Sequence, residues 1–272
     1  MSDSNLEHEG DFYRASKNPL GERLVYNLLI RPSLRRAFGG VYVYVHPEAL
    51  RLRRNPPMPV IFCMNHSGWF DGYVAALINR LVFQHDGYMM MEQKRLDSTF
   101  FFTWVGVFGI NRESPRSAVA SLQYSAEVLA ERPGRSLWMF PQGMVRHSDY
   151  RPVELYNGTS NIARRLGKCA LVPVAARYDF LEQQPPEAFA RIGPPIFVDA
   201  EREPVNQKEL TERLTAALTA EMDTLRGHVV AYDHTPYRKL LSGRQSVDQV
   251  WDGVLQSAGR AFDTVRGKRP QP

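Results

Sequence analysis

Apolar residues along this chain fall into two kinds of run, short dense ones and longer ones at helical spacing. Val60-Ile61-Phe62-Cys63-Met64 is apolar throughout, which predicts a strand buried on both faces, while Val41-Tyr42-Val43-Tyr44-Val45 alternates as a half-buried strand does. Further strands are expected over 87–91, in the run ending at Ile110, and over 137–140, 170–176 and 189–192. Helical spacing covers 73–78, 96–104, 160–166 and 207–225. Another helix starts at Ser114-Pro115, with Val119, Leu122, Ala126 and Leu129 on one face. Strands that alternate with helices predict an α/β fold with a mostly parallel central sheet, covered by helices on both faces.

Both ends depart from that alternation. Residues 20–30 place Leu24, Val25, Leu28 and Leu29 at helical spacing; Pro32 interrupts, the pattern resumes over 34–38, and Arg23, Arg31, Arg35 and Arg36 are interleaved. Such a segment suits an anionic lipid interface, and equally a helix packed on the core with solvated arginines. Near the other end Val247, Val250, Trp251, Val254, Leu255, Ala258 and Phe262 form one stripe, expected to dock a helix on the domain. The expected organisation is an N-terminal tail and amphipathic segment (1–38), a main α/β domain (39–230) and a C-terminal helical extension (231–272).

Composition narrows the partners. Lysine and arginine exceed aspartate and glutamate by five, and the pI is near 9.2, which suits an anionic membrane surface. No nucleic-acid-binding motif is present, so no nucleic acid is expected as partner. Cys63 and Cys169 lie in or beside apolar runs, as buried thiols in a reducing compartment do. No apolar stretch is long enough for a transmembrane helix, so a soluble or peripheral protein is expected. His66, Asp71, His85 and Asp86 lack compact metal-ligand spacing, no Walker-type loop occurs, and Ser67 has no nucleophile elbow around it. Neither metal nor cofactor is expected.

The candidate chemistry centres on His66 and Asp71, five residues apart at the turn after the 60–64 run. Sites in open α/β sheets collect at the carboxyl ends of strands, which is where this turn falls. A carboxylate on one imidazole nitrogen fixes the tautomer and supports the charged form, which equips the other nitrogen to take a proton from a hydroxyl.

Three more blocks follow in order: Gly106-Val107-Phe108-Gly109-Ile110-Asn111-Arg112, Phe140-Pro141-Gln142-Gly143 and Val172-Pro173-Val174-Ala175. Together with His66-x4-Asp71 they resemble the glycerolipid acyltransferase superfamily, over about residues 40–200. The resemblance implies His66 as general base, Asp71 as its orienting partner, and direct attack of the acceptor hydroxyl on the thioester of acyl-CoA or acyl carrier protein. It also implies that Arg112 orients the acceptor head group while Gln142, Gly143 and Arg146 shape its pocket. The expected protein is a peripheral enzyme on the cytoplasmic face of the cell membrane, acylating a lysophospholipid such as 1-acylglycerol-3-phosphate. Two departures bear on that acceptor. Gln142 stands where the family has Glu, and Val145 where the family has Arg, with Arg146 one step late. An arginine fork grips phosphate in a fixed geometry, so its displacement keeps a glycosylated lipid, a glycolipid or carotenoid glycoside, in play. A lipid-binding protein of the same fold without catalysis is the remaining alternative.

Overall fold

A computed structural model describes residues 12–246 and residue 251. The C-terminal stripe and the first eleven residues lie outside that set, apart from Trp251.

In chain order the elements begin with α1 (Pro19–Leu24), a π-helical turn (Val25–Ile30) and α2 (Arg31–Ala37), followed by β1 (Gly40–Val45) and the short α3 (Pro47–Leu50). Next come β2 (Val60–Met64), α4 (Asp71–Ile78), a second π-helical turn (Asn79–Phe83), β3 (Asp86–Glu92), α5 (Gln93–Leu96), a 3-10 helix (Phe100–Val105) and β4 (Val107–Ile110). The remainder is α6 (Pro115–Glu131), β5 (Arg135–Met139), α7 (Gly158–Leu166), β6 (Lys168–Asp179), β7 (Glu187–Ile192), β8 (Ile196–Asp199), α8 (Gln207–Val230) and β9 (Arg238–Ser242). The nine strands form one sheet ordered β4-β3-β5-β2-β6-β7-β1-β9, with β8 on β6. Strands β4, β3, β5, β2 and β6 run parallel, and β1 is parallel to β7. Only β7 and β8 against β6, and β9 against β1, are antiparallel.

Strand β2 shows why both faces must be covered. Alternate side chains of a strand point to opposite faces. Val60, Phe62 and Met64 join one core with α4 residues Leu77 and Ile78 and with Val25, Ile30 and Leu34 of the N-terminal helical run. Ile61 and Cys63 join the other, with Leu129 of α6, Ile162 of α7 and Leu210 and Leu214 of α8. Burial drives the thiols out of the reactive range: Cys63 is pushed well up and Cys169 up to about 12.

The structure differs locally from the sequence expectations. Pro32 does not interrupt the N-terminal helix, because the π turn absorbs it: Arg31 N–H bonds back to Tyr26 O, and the proline sits in the first turn of α2. That turn also resets the helix phase, so Val25 and Ile30 are buried while Leu20, Leu24 and Leu28 lie exposed. The helix expected over 96–104 stops at Leu96, where Ser98 and Thr99 hydroxyls donate to Arg95 O and the aromatic run continues as a 3-10 helix. On α6, Val119 faces solvent while Ala126 and Leu129 are buried. Beyond Ile192 the chain adds two strands, β8 and β9, that the sequence pattern did not mark; β9 falls in the stretch expected to be a helical extension.

Ahead of α1, residues 12–18 cross the edge of the sheet. Gly109 of β4 donates its N–H to Tyr13 O, Ser16 N–H donates to Thr103 O, and Lys17 donates to Gly87 O. A bare edge strand invites pairing with other chains, and this segment covers it.

Candidate active site

The turn after β2 is pinned before its histidine is reached. Asn65, almost wholly buried, accepts from Ala176 N–H at 2.6 Å and donates to Ala176 O at 3.0 Å. Its amide thus prolongs the pairing with β6 past the end of β2. His66 is gripped through its backbone: its N–H donates to Gln142 Oε1 at 2.7 Å, and its carbonyl accepts from Arg146 N–H at 2.7 Å. Parallel pairing of β2 with β5 brings the 140–143 turn alongside, which makes these bonds local.

Asp71 is fully buried at the start of α4. Its Oδ2 accepts from Ser67 N–H at 2.7 Å and Gly68 N–H at 2.9 Å, and lies 2.7 Å from His66 Nδ1. An ionised carboxylate only accepts, so Nδ1 carries the proton and Nε2 keeps its lone pair. The second oxygen, Oδ1, accepts from the Tyr178 hydroxyl at 2.5 Å. Burial, then the charge of Asp71, push the Tyr178 phenol well above its ordinary pKa, so it remains a donor. The ring of Phe38 stacks on Tyr178 with centroids 5.3 Å apart. Phe140 packs against the His66 ring, whose side chain is 25% exposed. A partly wet imidazole with an oriented free nitrogen beside a buried carboxylate can accept a proton from a hydroxyl.

His66 opens onto a cavity of about 1500 Å³ that also takes in Arg112, Gly143, Val145 and Tyr156. Gly143 has φ +67, and a Cβ there would lie 2.7 Å from both Arg112 Nη1 and the Tyr156 ring. Only glycine lets that guanidinium and ring close on the turn. Gln142 and Arg146 line a separate cavity of about 130 Å³, and the Arg146 guanidinium stands over the Tyr150 ring at 4.8 Å. Of the six expected site residues, His66, Asp71, Gly143 and Arg112 therefore gather at the large cavity or its base. Gln142 instead holds the His66 backbone, and Arg146 supplies a backbone donor to it.

His85 and Asp86 also line this cavity, but each is held by partners of its own. His85 Nε2 lies 2.7 Å from Leu52 O, and Asp86 pairs with Lys17, Arg132 and Arg135. Among the described residues no three His, Cys, Asp or Glu side chains converge as metal ligands. Sequence reasoning missed Asn65 and Tyr178. Asn65 directly precedes His66, so its polar side chain at the end of an apolar strand was the available signal. Tyr178, 107 residues from Asp71, gave none.

Against this geometry, the family model named Acyltransferase matches residues 39–177, just over half of the chain. The protein belongs to the acyltransferase family. Its chemistry at that level is transfer of an acyl group from a donor to an acceptor. A crystal structure of PlsC, the 1-acyl-sn-glycerophosphate (LPA) acyltransferase of Thermotoga maritima, aligns over 68% of this chain and 72% of that one, with 14% identity and a TM-score of 0.48. No curated protein matches at a significant level.

Proposed function

We propose that the protein is an O-acyltransferase that moves a fatty acyl group from acyl-CoA or acyl carrier protein to a hydroxyl of a lipid acceptor. The observation that carries this reading is the His66–Asp71 pair at the cavity, with Nδ1 committed to the carboxylate and Nε2 free. In the reaction, Nε2 takes the hydroxyl proton as the acceptor oxygen attacks the thioester carbonyl. The new C–O bond forms, the C–S bond breaks, and the departing thiolate takes the proton back from the imidazolium. Asp71 stabilises the transient imidazolium, and Arg112 holds the acceptor head group.

For the acceptor, a lysophospholipid such as 1-acylglycerol-3-phosphate fits Arg112 at the cavity. The position of Arg146 favours a second reading, a glycosylated lipid acceptor, because its guanidinium stands over Tyr150 at the separate cavity and does not join Arg112 in a phosphate fork. Arg23, Arg31, Arg35 and Arg36 are all exposed, beside the exposed Leu20, Leu24 and Leu28. That surface suits peripheral attachment to an anionic membrane, at the cytoplasmic face. No helix among the described residues is long and apolar enough to cross a membrane. Neutralising the four arginines together is expected to weaken binding to anionic vesicles and to abolish its salt dependence; unchanged binding would assign the segment to core packing alone.

The activity test offers purified protein labelled acyl-CoA or acyl carrier protein with a panel of lysophospholipids and glycolipids, and identifies the product by mass. His66→Ala is expected to lose about 10²–10⁴-fold in rate. Full transfer by a folded His66→Ala protein, or none by the parent to any acceptor, would overturn the reading.

A further inference from the structure

We infer that the cavity holds two apolar chains at once, on opposite faces of the sheet, and that the compartment on the α6 face takes the acceptor's own hydrocarbon chain. The two compartments are carried by geometry alone; their assignment to donor and acceptor rests on the acyltransferase reading.

The observation is the accessibility of strand β3. It is an interior strand, paired on one side with β4 and on the other with β5. Interior parallel strands are ordinarily buried on both faces, as β2 and β5 are here in full. In β3, however, Met89, Met90 and Met91 are each partly accessible. Successive side chains of a strand point to opposite faces, so open space adjoins β3 on both sides of the sheet. Core membership agrees: Met89 and Met91 pack against the α4-face core, Met90 against the α6-face core. All three line the same cavity.

Each side carries an apolar wall of its own, while Lys17, Glu22, Arg80 and Asp86 give other parts of the same lining charge. On the α4 face the wall includes Tyr73, Ala76, Met89, Phe102 and Trp138. Met90, Ala118, Leu122 and Met139 form the wall on the α6 face. The volume of about 1500 Å³ exceeds the ~300–1,000 Å³ that one compact ligand fills. Methionines make such walls adaptable to unbranched chains.

Arg112 decides which chain goes where. It follows β4 and closes on Gly143 and Tyr156, and Tyr156 leads within two residues into α7, on the α6 face. A head group held there sends its tail towards Ala118 and Leu122. The donor's acyl chain is left the α4 face, with its thioester at His66. The acceptor class that follows is a single-chain amphiphile drawn into the protein, as opposed to one whose tail stays in the bilayer.

Native mass spectrometry with hexadecanoate as probe tests this. The parent is expected to bind two, and Ala118→Phe and Ala76→Phe one each. A single bound hexadecanoate in the parent, or loss of both from one substitution, would overturn the inference; the parent measurement stands even if a variant fails to fold. In kinetics, Ala118→Phe should raise KM for a long-chain acceptor about tenfold, the equivalent of two buried methylenes, and leave the preference for donor chain length unchanged. A shift in donor preference instead would reverse the assignment. A parent that binds two hexadecanoates yet acylates nothing would refute the proposed activity and leave the two compartments standing.

Discussion

Strands β2 and β3 are both interior to the parallel part of one sheet, with β5 between them, yet they do opposite things. Every residue of β2 is buried, whereas β3 is partly accessible along most of its length. The first ends in the turn that holds His66; the second forms a wall of the space that His66 faces. A site that must place a proton acceptor within a few tenths of an ångström needs the packed strand, and a site that must admit a flexible chain needs the loose one. This fold places the two demands on separate strands.

Substitutions can break that contrast, beginning with the largest effect. Phe62→Ala in β2 removes a fully buried ring stacked on Trp138 at 4.3 Å and is expected to cost about 3–5 kcal/mol in urea unfolding. Met90→Ala in β3 should cost well under half of that, because its side chain borders space that is already open. Equal losses from the two would mean that β3 is packed as tightly as β2.

Tyr178→Phe comes next. It leaves Asp71 Oδ1, in a wholly buried carboxylate, with only the Ser67 hydroxyl at 3.4 Å, a contact at the limit of hydrogen bonding. Losing that partner is expected to cost about 1–3 kcal/mol, read as stability and as a fall in kcat that exceeds any change in KM. An unchanged kcat with lowered stability would limit Tyr178 to holding the turn.

The smallest effect sits at the start of β3. Burial opposes the charge of Asp86, but Lys17 and Arg132 outweigh it and hold its carboxyl below the ordinary value of 3.8. A depressed carboxyl contributes its stabilisation at pH above that ordinary value and loses it as pH falls through the folded-state value. The parent should therefore lose thermal stability below about pH 4, and Asp86→Asn should lack that part of the acid dependence. A variant whose acid profile overlays the parent's would show that the ion cluster is neutral to stability.

Much of this was legible in the sequence, and the parts that were not have separate physical causes. The five-residue run at 60–64 and the His66-x4-Asp71 spacing are local patterns, and local patterns survive folding. The Tyr178–Asp71 bond joins residues far apart in sequence, which no periodicity reports. Pro32 was misleading for the opposite reason: its local rule is sound, but a π turn upstream satisfied it without ending the helix. The accessibility of the β3 methionines was not legible either, since hydropathy marks what avoids water and not whether protein or a ligand covers it. Strands β8 and β9 are short and sit on edges, where few alternating residues are needed.

The segment over 12–18 has a consequence for the order of assembly. Its long-range hydrogen-bond partners, among them Gly87, Gln93, Thr103, Gly109 and Tyr124, lie roughly 70 to 110 positions further along the chain. At ~5–20 residues per second the ribosome needs on the order of ten seconds to supply them. Until then the segment has only local partners such as Gly21 and Glu22, and once β4 appears its edge is open until the segment returns. Residues 12–18 are thus made before these partners and dock after them, and the edge they cover is of the kind that invites pairing with another copy.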